Sequence, residues 1–277
     1  MSMRALLLSL LLLATLPLAA EPTPLARAHA HNDYRHERPL LDALAQGFCS
    51  VEADIFLVDG ELRVGHSMSE LRKGRTLESL YVKPLAERVR ANKGSVYSKK
   101  ERFILLIDIK RNGAEVYPVL DALLERYGDL FNAHLDDKAR PGPVTVILSG
   151  DRPRALVAAD KTRYCSIDGR PPDLGAGAAA NLLPLVSDSW SKHFKWRGSG
   201  EIPPAELAKL KDFVARTHKE SRLLRFWAAP DNPAAWRVLH DAGVDLINTD
   251  KLAELSEFLN ALRIPAPAPS SPSVRCW

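Results

Sequence analysis

The chain reads as an α/β protein built on a single (β/α)8 TIM barrel, and three observations predict this. Apolar runs suited to buried parallel strands alternate with stretches of helical period from Leu25 to Leu262, the pattern of repeated βα units. Eight such runs can be counted. Once the leader-like start is set aside, roughly 250 residues remain, a usual size for one barrel.

Taken in order, the strands are expected at Leu25 to His31, Phe48 to Ile55, Phe103 to Ile109, Val144 to Ser149, Tyr164 to Asp168, Leu183 to Asp188, Leu223 to Ala228 and Val244 to Thr249. Helical period marks Thr76 to Lys93, Ala114 to Leu130, Pro203 to Lys219, Pro233 to Ala242 and a closing helix from Lys251 to Leu262. Val58-Asp59-Gly60-Glu61 interrupts the alternation, because Asp-Gly between apolar runs is a hairpin turn that folds the chain back through Leu62 to His66.

The ends have a different character. Met1 to Ala20 has Arg4, an apolar core and a small-residue close at Leu18-Ala19-Ala20, which is the pattern of a secretory signal peptide and implies an exported, periplasmic or secreted protein. The barrel then occupies residues 21–263, and the Pro/Ala/Ser-rich residues 264–277 read as a disordered tail. Cys49, Cys165 and Cys276 fit neither a disulfide framework nor a zinc pattern, and the first two read as small apolar strand residues. A net charge of +4 without clustered basic and aromatic residues gives no case for nucleic acid.

In a barrel the site lies where the strands end, so polar residues at those ends carry the functional reading. Glu52 and Asp54 are two apart on one strand and leave the same face. Asp108 stands alone after Ile104-Leu105-Leu106-Ile107 and supplies a third carboxylate from the next strand. Three acids at one place repel unless a cation lies among them, and oxygen donors suit Mg2+ or Ca2+. His31 and His66 end the first strand and the hairpin return, which makes them an acid-base pair for phosphoryl transfer. Lys110, on the face of Asp108, adds a fixed positive donor.

Other polar residues receive plainer readings. Ser149, Asp168 and Asp250 read as helix N-caps, and His36, His134, His193, His218 and His240 as structural. Trp190, Phe194 and Trp196 read as a loop packed on the barrel, with an apolar lip for a lipid headgroup, beside Lys192 and Lys195, as the alternative. His29-Ala30-His31 also admits a zinc-type metallohydrolase, which requires further histidines at later strand ends.

These residues resemble the superfamily of phospholipase C-like and glycerophosphodiester phosphodiesterases. The matching pieces are His31-Asn32, Glu52-Ala53-Asp54 with the Asp-Gly turn and His66, Asp108-Ile109-Lys110, and, more weakly, Arg225-Phe226-Trp227 with Gly243 to Asp250. The segments His29 to Tyr34, Ser50 to Asp54, Val64 to His66 and Thr76 to Tyr81 are similar to the altered-inheritance-of-mitochondria family. The resemblance implies a phospholipase C-like barrel in which His31 and His66 are catalytic and Glu52, Asp54 and Asp108 hold a divalent cation. It also makes Asn32 a metal or phosphate contact, Lys110 a phosphate contact and Trp227 a pocket wall. His29 shares a face with His31 and is the other candidate for the catalytic histidine. Glycerol specificity does not follow, because His-Asn-Asp and Asp108 stand where glycerophosphodiesterases usually have His-Arg-Gly and Glu.

The expected activity is hydrolysis of a glycerophosphodiester or phospholipid headgroup, with transient membrane contact. A barrel that only binds phosphorylated ligands or lipids is the alternative from another class.

Overall fold

On the third barrel strand, Phe103, Leu105, Ile107 and Ile109 point outward into the main core, while Ile104 and Leu106 point inward. Asp108 and Lys110 continue the inward column, so a two-residue period carries it from an apolar base to a charged mouth. Ile147, Leu185 and Leu246 join Ile104 and Leu106 to fill the base of the barrel. The computed structural model describes residues 21–135 and 138–263; the leader and tail readings therefore lie outside the described residues.

The barrel strands are β1 (Leu25–Ala30), β2 (Phe48–Val58), β4 (Phe103–Ile109), β7 (Val144–Gly150), β9 (Cys165–Gly169), β10 (Leu185–Ser189), β11 (Leu223–Trp227) and β12 (Ile247–Thr249), with β3 (Glu61–Val64) returning against β2. Their order is β11-β10-β9-β7-β4-β2-β1-β12, with every neighbouring pair along it parallel. A parallel bridge between Arg225 and Leu246 closes the seam between β11 and β12. The expected (β/α)8 barrel is the observed fold.

The helices are α1 (Leu41–Ala45), α2 (Lys83–Ala91), α3 (Gly113–Arg126), α4 (Arg154–Ala159), α5 (Trp190–His193), α6 (Pro204–Lys219), α7 (Pro233–Ala242) and α8 (Leu252–Ala261). Helix α7 has the bounds its sequence predicts, because Asn232 accepts from Ala235 N, Pro233 opens the first turn and Gly243 ends it at φ 94°. The stretch expected as one helix from Thr76 is instead a π-helical turn, Glu78–Val82, followed by α2 with Pro84 in its first turn. Asp59 and Gly60 take φ values of 52° and 76°, the hairpin turn that Asp-Gly predicts.

A small antiparallel sheet of β5 (Ala133–Leu135), β6 (Lys138–Arg140) and β8 (Thr162–Arg163) was not expected. Its strands are too short and polar to show a two-residue alternation. Trp190, Phe194 and Trp196 are buried, and the first two pack on Phe226, so they form a packed loop and not an apolar lip.

Candidate active site

Register brings the acids together. Strand pairing sets Asp54 beside Asp108 and Asp108 beside Ser149, while Glu52 lies two residues earlier on the Asp54 face. One oxygen from each of Glu52, Asp54 and Asp108 lies within 4.8 Å of the others. Gly150 permits this packing, since a Cβ there would lie 2.3 Å from Ile109 O and 2.5 Å from Asp108 Oδ1.

Asp54 is fully buried and concentrates its contacts on one oxygen. Its Oδ2 accepts from Tyr34 Oη at 2.7 Å and His66 Nδ1 at 2.9 Å, and lies 2.5 Å from Lys110 Nζ. Its Oδ1 is buried with no partner among the described residues. A buried carboxylate oxygen without a donor is costly, and a hard cation would satisfy it. The donor set of Glu52, Asp54 and Asp108 therefore fits a divalent ion of the Mg2+ or Ca2+ kind. Burial pushes the Asp108 carboxyl up to about 6; Lys110 opposes this, while Asp54 and Glu52 reinforce it. For Lys110, burial opposes the charge, but Asp108 and Asp54 outweigh it and hold the ammonium above its ordinary range.

Beneath the acids lies a buried polar network. Arg225 Nη1 donates to Glu52 Oε2 at 2.7 Å and approaches His29 Nε2 at the same distance, and His29 Nδ1 lies 2.7 Å from Ser50 Oγ. Nε2 also lies 3.2 Å from Glu52 Oε2, which can only accept, whereas the guanidinium can only donate; the shorter Arg225 contact favours the tautomer whose Nδ1–H faces Ser50 and whose Nε2 accepts. Burial and then Arg225 push His29 down to about 4, so it is neutral. Burial raises Glu52, yet Arg225 together with His29 and His31 more than reverses this and keeps the carboxylate ionised. The pairing is what allows a carboxylate and a guanidinium to be this deep.

The structure separates the two candidate histidines of the first strand. His29 is enclosed and its Nε2 faces a cation, and the described residues grouped closely enough to hold a metal are Glu52, Asp54 and Asp108, with neither histidine among them, which disfavours a zinc-binding pair. His31 stands at the mouth, with Nδ1 2.9 Å from Asp250 Oδ1 and Nε2 3.9 Å from Glu52 Oε1. Chiefly through that hydrogen bond, His31 holds the Asp250 carboxyl below its usual range. His66, with a side chain 51% exposed, has the same arrangement toward Asp54. Each imidazole thus has a carboxylate at Nδ1, which directs Nε2 away from it.

Asn32 takes the left-handed conformation at φ 48°, with Oδ1 2.7 Å from Tyr34 Oη and Nδ2 3.0 Å from His31 Nδ1. It lies between the acid cluster and His31. Trp227 is half-buried at the end of β11, two residues beyond Arg225 and so on the face that looks into the barrel.

Three expectations are corrected. Asp250 is no helix cap but the partner of His31, and Asp168 is a buried acceptor for Ser149, Ser187 and Arg170. Ser149 correspondingly donates to Asp168 and caps no helix. Sequence reasoning passed over Tyr34, Ser50, Arg170 and the role of Arg225. Ser50 alone carried a signal, since it continues the Glu52-Asp54 face by one step of two.

The comparisons with known proteins bear on the family and the fold. A family described as "AIM6-like phosphodiesterase domain" matches residues 19–168, and "Glycerophosphoryl diester phosphodiesterase family" matches residues 224–253. The first contains both histidines and all three acids, and the second contains Arg225, Trp227 and Asp250. "Altered inheritance of mitochondria protein 6 homolog" of Arthroderma benhamiae is 30% identical over 270 residues, covering 84% of this chain and 86% of that one. "Altered inheritance of mitochondria protein 6" of Eremothecium gossypii is 31% identical, covering 84% and 69%.

Among solved structures, a glycerophosphodiester phosphodiesterase from Parabacteroides distasonis superposes with a TM-score of 0.53 at 14% identity, covering 91% of each chain. A calcium-dependent phosphoinositol-specific phospholipase C from a Pseudomonas species gives 0.52 at 14%, covering 85% of this chain and 93% of that one. At such identities the likeness is one of fold. The relatives and the matched domain together place the protein in the family of AIM6-like phosphodiesterase domains.

Proposed function

We propose that this protein is a divalent-metal-dependent phosphoric diester hydrolase that uses His31 and His66 as its acid-base pair. The observation that carries the reading is the convergence of Glu52, Asp54 and Asp108 at a mouth where His31 neighbours Glu52 and His66 is bonded to Asp54. Three carboxylates against Arg225 and Lys110 leave one negative charge uncompensated. A divalent ion would reverse that sign and suit a phosphodiester anion.

Glu52, Asp54 and Asp108 would hold the cation, which when bound neutralises charge on phosphoryl oxygens. Lys110 adds a second positive group at the same place. One imidazole takes the proton of the attacking hydroxyl at Nε2 while the other gives its proton to the leaving oxygen. Asp250 and Asp54 fix the orientations of the two rings through their contacts with Nδ1. Arg225 keeps Glu52 ionised from below, and Asn32 and Trp227 flank the substrate.

The substrate class proposed is a glycerophosphodiester or phospholipid headgroup. Residues 1–20 support an exported location, which makes envelope phospholipids available as a source. The test is product release from bis(p-nitrophenyl) phosphate and from glycerophosphodiesters with Mg2+, Ca2+ or EDTA. Metal-dependent turnover that EDTA abolishes is expected. Binding of phosphorylated ligands without turnover under every condition would leave a binding barrel in its place.

A further inference from the structure

Across the mouth from His31 and His66, Asp168 is wholly buried on β9 and accepts through Oδ2 from Ser149 at 2.8 Å, Ser187 at 2.6 Å and Arg170 Nη1 at 2.7 Å. The same Arg170 nitrogen is 2.8 Å from Gly169 O, and the Arg170 backbone N–H donates to Asp173 at 2.7 Å. Both the backbone and one arm of the guanidinium are therefore fixed. The other arm, Nη2, has only a 3.5 Å contact to Ser149 Oγ among the described residues, and the side chain is 27% exposed. Burying a carboxylate and two hydroxyls beside one guanidinium at a barrel mouth carries a desolvation cost that the attraction within the ion pair need not repay.

Position says what the free arm faces. Ser149 is the strand neighbour of the acid Asp108, so the contact of Arg170 Nη2 with Ser149 Oγ places the free arm at the same mouth, over the strand next to the acid Asp108. Arg170 thus stands over the neighbouring strand rather than over Glu52, Asp54 and Asp108 themselves, a position that suits a group a few bonds further along the substrate than the phosphoryl. Arg152 adds positive charge nearby, its guanidinium held below its ordinary range by burial and then by Arg170.

We infer that Arg170 binds a second anionic group of the substrate, a phosphate monoester or a carboxylate carried on the headgroup beyond the scissile phosphate. Arg170 is thus a specificity-determining residue, and Asp168, acting through it, a positioning residue. A free fork arm on a fixed guanidinium matches the planar geometry of such anions. The inference rests on the hydrolase reading for where the scissile phosphate lies.

The test is calorimetric and needs no turnover. Glycerol 3-phosphate and glycerol 1,3-bisphosphate are titrated into the Mg2+-equilibrated protein at fixed ionic strength. The wild type is expected to bind the bisphosphate about tenfold or more tightly than the monophosphate, the scale of one charge-assisted hydrogen-bonded contact. Arg170→Met should remove that advantage and leave monophosphate affinity within about twofold. Because Arg170→Met leaves Asp168 unpaired, Arg170→Lys and the double variant Arg170→Met/Asp168→Asn are run beside it, with thermal melts. The lysine should keep part of the preference, and the double variant should lose all of it while folded.

Equal wild-type affinity for the two ligands, or a parallel loss of both in the folded Arg170 variants, would overturn the inference. A retained bisphosphate preference with no hydrolysis of any diester would instead sink the catalytic reading alone.

Discussion

His66 Nδ1 lies 2.9 Å from Asp54 Oδ2, and this contact ties an imidazole exposed at the barrel mouth to a carboxylate that is wholly buried. The proton on Nδ1 is thereby fixed, and Nε2 is left to exchange protons with a substrate. His66→Ala is expected to lower kcat on bis(p-nitrophenyl) phosphate about 100- to 10,000-fold, the usual contribution of one general acid or base. The circular dichroism spectrum and melting temperature should stay those of the wild type, because the side chain lies outside the core. Undiminished turnover would exclude His66 from the chemistry.

Glu52 has a double role, as candidate ligand through Oε1 and as partner of Arg225 through Oε2. Glu52→Gln should therefore weaken Mg2+ or Ca2+ binding in calorimetry and also destabilise the fold by about 3 kcal/mol or more, since a buried guanidinium loses its counter-charge. Chemical denaturation measures the second effect. A variant as stable as the wild type would show that Arg225 does not depend on Glu52.

Asp108 titrates near 6 in the metal-free protein, raised first by its burial. Below that pH a cation must displace its proton, so apparent metal affinity is expected to fall as pH drops through about 6, by up to about tenfold per pH unit. Asp108→Asn should bind metal more weakly at neutral pH and lose this slope. Titrations at pH 5, 6 and 7 distinguish the two proteins.

Asp33 offers a pH test that is independent of the metal. Burial raises its carboxyl to about 7, against the hydrogen bonds from Leu40 N and Tyr81 Oη. A pKa raised in the folded state means that the folded protein binds this proton more tightly, so Asp33's contribution is fully present below about pH 4 and is lost as pH rises through about 7. The contribution changes by up to about 1.4 kcal/mol per pH unit within that window. Denaturant midpoints of Asp33→Asn, compared with the wild type between pH 4 and 8, should lack this component.

Trp190 is wholly buried, stacks on Phe194 at 4.0 Å and meets Phe226 edge to face. Trp190→Ala is expected to cost about 3–5 kcal/mol of stability. Binding to anionic phospholipid vesicles should be unchanged at temperatures where the variant is folded. Lost vesicle binding in the folded variant would restore the apolar-lip reading.

The three acids are legible in the sequence because a strand repeats every two residues, so Glu52, Asp54 and the lone Asp108 declare their face without coordinates. The same period explains Lys110 and Ser50. Asp250 and Arg225 are not legible in this way, since their partners are 219 and 173 residues away and meet them only when the last strands close on the first. Asp250 precedes a helix and looks like a cap, and nothing local says that β12 lies beside β1. Asp168 fails for a related reason, because its role depends on serines from the strands to either side. The small sheet is invisible because strands of two and three residues have no period to read.

Arg225 belongs to two systems at once. It forms the backbone bridge to Leu246 that zips the last gap of the barrel, and its side chain crosses the interior to Glu52. The stave that completes the cylinder therefore also braces a carboxylate proposed to hold the ion. Loosening at that joint, whether by gentle heat or a low dose of urea, would slacken Glu52 while most helices stayed wound, so loss of catalysis should precede loss of helical signal and serve as an early gauge of structural wear.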